Sequence, residues 1–336
     1  MVFKRLLGSL GIGGPSVDTV LDPGPAVPGG QLTGQVHLQG GSADCDIDHI
    51  SLELVARVEA ELDGGEREGV VVFDRVTVGG GFRLAAEERR SVPFSVTLPW
   101  ETPVTELYGQ PLGIVLGVRT ELGVAGAKDK GDLDPLTVGP LPVQEAILEA
   151  LGQLGFGFRS ADLEYGRIAG TGQQLPFYQE IELTPAPQYA HQVNEVEVTF
   201  LASPAGLEVV LEADKRGSLL SSGHDALTRF TVGHHDSRDW NAEVDGWLRR
   251  LIEHRGAHGA HAAYGHGDAF PAAHGAHAPY HTEHGHHDDH HRSGPGVGTA
   301  IAAGAAGLAV GVVGGMVAAE VVDEIGDFFE GDEDED

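Results

Sequence analysis

The sequence predicts an all-β protein: two antiparallel β-sandwich domains with short helices, followed by a low-complexity C-terminal extension. Three observations predict it. From Val17 to about Val138, apolar residues recur at every second position in short runs separated by turn residues, which is the pattern of half-buried strands. The same pattern resumes from Phe156 to Val232 after one helical interruption near Pro140. A length of 336 residues suits about two folded units.

The elements follow in order. Phe3, Leu6, Leu7 and Leu10 form one stripe of a short helical arm that Gly11 and Gly13-Gly14-Pro15 end. After the turn Pro28-Gly29-Gly30, Leu32, Gly34, Val36 and Leu38 alternate with polar neighbours. Ile50, Leu52, Leu54, Ala56 and Val58 alternate again before Asp63-Gly64-Gly65. Val70 to Phe73, Val92 to Leu98 and Ile114 to Leu122 supply further runs, giving a first sandwich in which each sheet buries one face. Pro140-Leu-Pro142 then breaks the pattern. Ala146, Ile147, Ala150, Leu151 and Leu154 follow at helical spacing and stop at Gly155. Strand-like segments return at Phe156–Leu163, Phe177–Leu183, Val193–Leu201, Leu207–Glu212 and Phe230–Val232, and a second helix is expected over Trp240–Arg255. The expected division is therefore 1–139 for the first sandwich and its leading helix, and 140–255 for the linker helix, second sandwich and closing helix. The rest divides into a His/Gly/Ala-rich disordered linker at 256–296, an uncharged Gly/Ala-rich segment at 297–319 and an acidic tail at 320–336.

Charge excludes several functions. Lys and Arg total 21 against 51 for Asp and Glu, a net charge of −30, and nucleic-acid binding would need clustered positive charge. The tail from Glu320 carries ten of those acids and no base, and without it the balance is still 41 acids against 21 bases. Cys45 is the only cysteine, so an intramolecular disulfide framework and a structural zinc site with two or more cysteines are both excluded. The N-terminus has no long apolar stretch ahead of a small-residue cleavage site, so a mature start is expected at Met1.

Twelve of the 18 histidines lie between His254 and His291, with repeated spacings of three such as His281/His284. Imidazole suits Zn, Ni and Cu, so His281, His284, His286, His287, His290 and His291 are the candidate ligands for weak binding of divalent transition metals. A Gly/Ala-rich tract holds no fixed geometry, so a dedicated cofactor is not expected. The same tract could instead respond to pH. Ala300 to Ala319 is uncharged for twenty residues, and Gly307, Gly311 and Gly315 recur at the spacing that lets helices pack closely. They are the candidate self-association residues, with a membrane span as the alternative.

No catalytic residue is expected. Asp44, Asp46, Asp48 and His49 beside Cys45 follow Gly40-Gly41-Ser42, where turn chemistry accounts for them. His224/Asp225 and His234-His235-Asp236 lack a Gly-x-Ser-x-Gly elbow, since Ser221-Ser222-Gly223 does not supply one. Gly11-Ile-Gly-Gly and Gly79-Gly-Gly81 have no phosphate-loop Lys-Ser/Thr.

The opening Phe3-Lys4-Arg5-Leu6-Leu7, the segment Val27 to Val36, the pairs Pro93-Phe94 and Leu98-Pro99, Leu154-Gly-Phe156 and Gln174-Leu-Pro-Phe-Tyr-Gln-Glu180 together resemble the bacterial sporulation-control protein family, sporulation stage zero protein M, over about residues 1 to 253. The resemblance implies two arrestin-like sandwiches joined by a short linker and a regulatory, non-enzymatic scaffold that works through protein partners. A cytoplasmic location is expected, with a peripheral place at the membrane as the alternative.

Overall fold

The computed structural model describes residues 13–62, 65–213 and 227–263. The strands are β1 (Ser16–Leu21), β2 (Gln31–Gln39), β3 (Cys45–Leu62), β4 (Gly65–Gly79), β5 (Phe82–Leu84), β6 (Arg89–Thr97), β7 (Glu106–Leu107), β8 (Gln110–Pro111), β9 (Leu116–Val124) and β10 (Lys130–Pro135), followed by helix α1 (Pro142–Gln153). The second half holds β11 (Gly157–Tyr165), β12 (Phe177–Thr184), β13 (Val196–Ser203), β14 (Gly206–Ala213), β15 (Thr228–Val232) and helix α2 (Trp240–Ala263). The protein is all-β with few helices, as its alternation predicts.

A three-stranded sheet, β1-β2-β6, faces a larger one whose order is β10-β9-β3-β11-β12-β13-β14-β15, with β4 and β5 on the other edge of β3. Leu32, Val36 and Leu38 of β2 and Phe94 and Val96 of β6 point inward because period-two alternation puts them on one face. They pack on Ile50, Leu52 and Leu54 of β3 and on Val118 and Leu122 of β9, forming the first core. At Gly34 the neighbouring strands β1 and β6 crowd the inner face so closely that a Cβ would lie 2.4 Å from the Val20 carbonyl oxygen and 2.7 Å from the Phe94 ring, which is why this inward position carries no side chain.

The long strand β3 belongs to both halves. β9 lies along residues 47–56 of one edge, and β11 joins in parallel at Glu59–Glu164, while β4 occupies the opposite edge. From β11 onward the strands are antiparallel neighbours in sequence order. The second core lies between one face of this sheet (Ile181, Leu183, Val196, Val198, Leu207, Leu211) and the two helices, which contribute Ile147 and Leu151 from α1 and Val244, Trp247 and Leu248 from α2. Among the described residues the layer facing the β11–β15 part of this sheet is thus helical.

Local chemistry sets the limits of α1. Pro142 opens its first turn, the Gln144 side chain accepts the Leu141 amide at 2.8 Å, and Gly155 at φ 96° turns the chain out. α2 starts where Asp239 caps the Ala242 amide at 3.2 Å, and it continues past Arg255 to Ala263. The added turns are rich in alanine, the residue that loses least on becoming helical.

Candidate functional site

The segment Gln173–Glu180 stitches the two cores together. Gln173 is buried, and its amide nitrogen donates to the carbonyls of Gly166, Leu175 and Phe177 while its oxygen accepts the Ile168 amide. The Glu101 carboxylate accepts the amides of Gln174 and Leu175 at 2.8–2.9 Å. Gln179 exchanges two hydrogen bonds with the Val104 backbone, at 2.9 and 2.8 Å. Leu175 and Phe177 enter the first core, where Phe177 meets Phe73 edge to face at 5.6 Å. Ile181 enters the second.

Alternation puts the remaining residues of β12 on the opposite face. There the register brings acids into a cross-strand array: Glu164 of β11 lies beside Glu59 of β3 and Tyr178 of β12, and Asp162 lies beside Glu180. Glu182 neighbours Glu197 of β13, which neighbours Glu212 of β14. Asp162, Glu164 and Glu180 each offer a carboxylate oxygen within 4.8 Å of the others. Burial, reinforced by Glu197, Asp162, Glu164 and Glu212, pushes the Glu180 carboxyl up to about 9. Burial and the same kind of neighbours hold the Tyr178 hydroxyl above its ordinary range. Such a group of oxygens can share protons at neutral pH or gather round a hard divalent cation. At the rim, Ser160 donates to Glu182 at 2.5 Å, and Arg159 pairs with Glu182 and Glu195.

The outer face of the first unit is organised differently. Glu53, only 2% exposed, lies between Arg75 of β4 and Arg119 of β9 in the register. Both guanidiniums reach it, with Arg75 Nε at 2.5 Å and Arg119 Nε at 2.6 Å. Glu121 adds a contact to His49 at 2.9 Å and one to Arg75 at 3.5 Å.

The structure also places the residues singled out in the sequence. Asp44 is a turn residue: it accepts the Ala86 amide and the Arg83 guanidinium, which hold its carboxyl below the usual range. Cys45 begins β3, and burial raises its thiol. Asp236 accepts the Gly233 amide, and His234 stacks on Trp100 at 4.8 Å while bonding the Ser203 carbonyl at 2.7 Å. The candidate metal ligands His281, His284, His286, His287, His290 and His291 lie outside the described residues, as do Gly307, Gly311 and Gly315 and the group from Ser221 to Asp225. No described helix is long and apolar enough to cross a membrane. The acid array was missed in the sequence, although Asp162/Glu164, Glu180/Glu182 and Glu195/Glu197 stand two apart within strand-like runs and so must share a face.

Comparison with known proteins places this architecture. The chain is 36% identical over 215 residues to the sporulation-control protein of Bacillus subtilis strain 168, a match that covers 64% of this chain and 81% of that one. The crystal structure of the Bacillus subtilis sporulation control protein superposes with a TM-score of 0.58 at 29% identity, covering 73% of this chain and 98% of that chain. The family model described as SpoOM protein matches residues 3–217, a span that includes the first core, the Gln173–Glu180 junction and the acid-bearing strands, and the chain therefore belongs to that family of sporulation-control proteins.

Proposed function

We propose that this protein is a non-catalytic, cytoplasmic regulatory scaffold that acts by binding other proteins. The family match over residues 3–217 carries the reading, because it ties the whole junction between the cores to a regulatory family. The surface supports it. Tyr108 is 62% exposed at the tip of the β7–β8 hairpin and Phe158 is half exposed on β11, and aromatic side chains of this kind are common anchors in protein interfaces. β4 is hydrogen-bonded to a strand on one edge only among the described residues, and we assign its other edge to an extended segment of a partner. The extension past residue 263 is assigned to assembly, with self-association through Gly307, Gly311 and Gly315 and incidental transition-metal binding by the histidines.

The test is a pull-down from native cells with full-length protein, the full-length Tyr108→Ser variant and residues 1–255. A partner set held by full-length protein and 1–255, and weakened in the Tyr108 variant, is the expected result. If neither full-length protein nor 1–255 retains a partner above a control bait, the scaffold reading fails. Loss of all partners from 1–255 alone moves the binding function to the extension.

A further inference from the structure

β1 and β10 are the edge strands at which the two sheets of the first unit meet. No backbone hydrogen bond joins them among the described residues. The contact is made by side chains instead. The Asp132 carboxylate of β10 accepts the Thr19 amide of β1 at 2.6 Å, standing in for a missing strand carbonyl. The Thr19 hydroxyl meets that of Thr120 on β9 at 2.6 Å, with both residues buried.

Asp134 lies two residues along β10 and so shares a face with Asp132. The two carboxyls are close enough to act on one another. The second oxygen of Asp134, Oδ2, is buried with no hydrogen-bond partner, an arrangement that disfavours a charged carboxylate. An anionic Asp132 accepts the Thr19 amide most strongly, so a proton taken up by the pair is best placed on Asp134, where its O–H can donate to Asp132.

We propose that this seam is a proton-operated latch: one proton held between Asp134 and Asp132 keeps the Asp132 carboxylate on the Thr19 amide, and its loss releases β1 from β10. Other groups around the seam favour this behaviour. Asp18 of β1 adds a third carboxylate, and the β9 positions opposite the pair are Thr120 and Val118, which carry no charge. Arg119 of β9 is committed to Glu53. Lys130 stands at the start of β10 and His37 lies opposite Asp18 on β2, both further from Asp134 along the strands.

Burial first, then Asp132 and Asp18, push Asp134 up to about 7. A carboxyl raised in the folded state contributes stability that is complete at acid pH and is lost as pH rises through that value. The latch is therefore closed in mildly acidic solution and opens above neutrality. Its opening exposes the outer edge of β10.

The experiment is amide exchange at Thr19 in the full-length protein, corrected for the intrinsic base-catalysed rate. From about pH 5.5 to about pH 8.5, protection should fall about tenfold in the wild type and stay level in Asp134→Asn, whose amide donates to Asp132 at every pH. Wild-type protection independent of pH, or an Asp134→Asn variant that loses protection as the wild type does, overturns the latch. Carbon-13 titration of the Asp134 carboxyl in the wild type decides the case without a variant, since a midpoint below about pH 5 also overturns it.

Discussion

Glu53 and Glu180 occupy the same kind of position, mid-strand on the outer face of a sheet, yet their surroundings are opposite. Glu53 has an arginine across from it on each side, Arg75 and Arg119. Glu180 faces Asp162, with Glu164, Glu197 and Glu212 close enough to act on it. Strand alternation puts a carboxyl on an outer face in both units, and the register then decides its charge. A carboxylate clamped by guanidiniums can stay ionised when buried, whereas one surrounded by its own kind holds its proton.

Breaking the clamp is the largest test of this contrast. Arg119→Met leaves Glu53 buried with one cationic partner and should cost about 3 kcal/mol in urea unfolding, and much of the loss should return in the double variant with Glu53→Gln. A smaller effect is expected at Glu180. Because its carboxyl is raised to about 9, it contributes stability that is present in acid and declines as pH rises through that value. Between about pH 7 and about pH 9 the wild type should lose about 2 kcal/mol more than Glu180→Gln. Converting one arrangement into the other sharpens the comparison. Asp162→Arg places a guanidinium opposite Glu180, and carbon-13 titration should then find Glu180 ionised at neutral pH. The smallest change is expected from Arg159→Ala, because that arginine is 58% exposed where it meets Glu182 and Glu195, and less than about 1 kcal/mol should be lost on unfolding.

The sequence disclosed what alternation and punctuation control. Leu32, Gly34, Val36 and Leu38 marked β2 because one of its faces is buried, and Pro142 and Gly155 marked the ends of α1 because each has a fixed backbone preference. The all-β class followed from those local signals. The short strands β7 and β8 carried too few residues for a periodic signal. Pairing is non-local and stayed hidden. That Thr19 meets Asp132, or that Glu59 lies beside Glu164, depends on which strands become neighbours, and no spacing along the chain states it. The helices were legible as amphipathic segments, but their burial against β12, β13 and β14 became visible only in the second core. The residues proposed for metal binding and self-association, from His281 to Gly315, lie outside the described residues.

The three tryptophans of the chain, Trp100, Trp240 and Trp247, all pack in or against the second core. Trp247 is fully buried there and stacks on Phe230 at 4.6 Å, with Trp240 edge-on at 6.3 Å. Intrinsic fluorescence is therefore weighted to the second core, with Trp100, whose ring also covers Gly29, reporting its join to the first unit. An emission-monitored denaturation curve follows the helices leaving their sheet, while far-ultraviolet circular dichroism follows the strands of both halves. If the two probes give separate midpoints, the shared strand β3 does not bind the halves into one cooperative unit, and if they coincide it does.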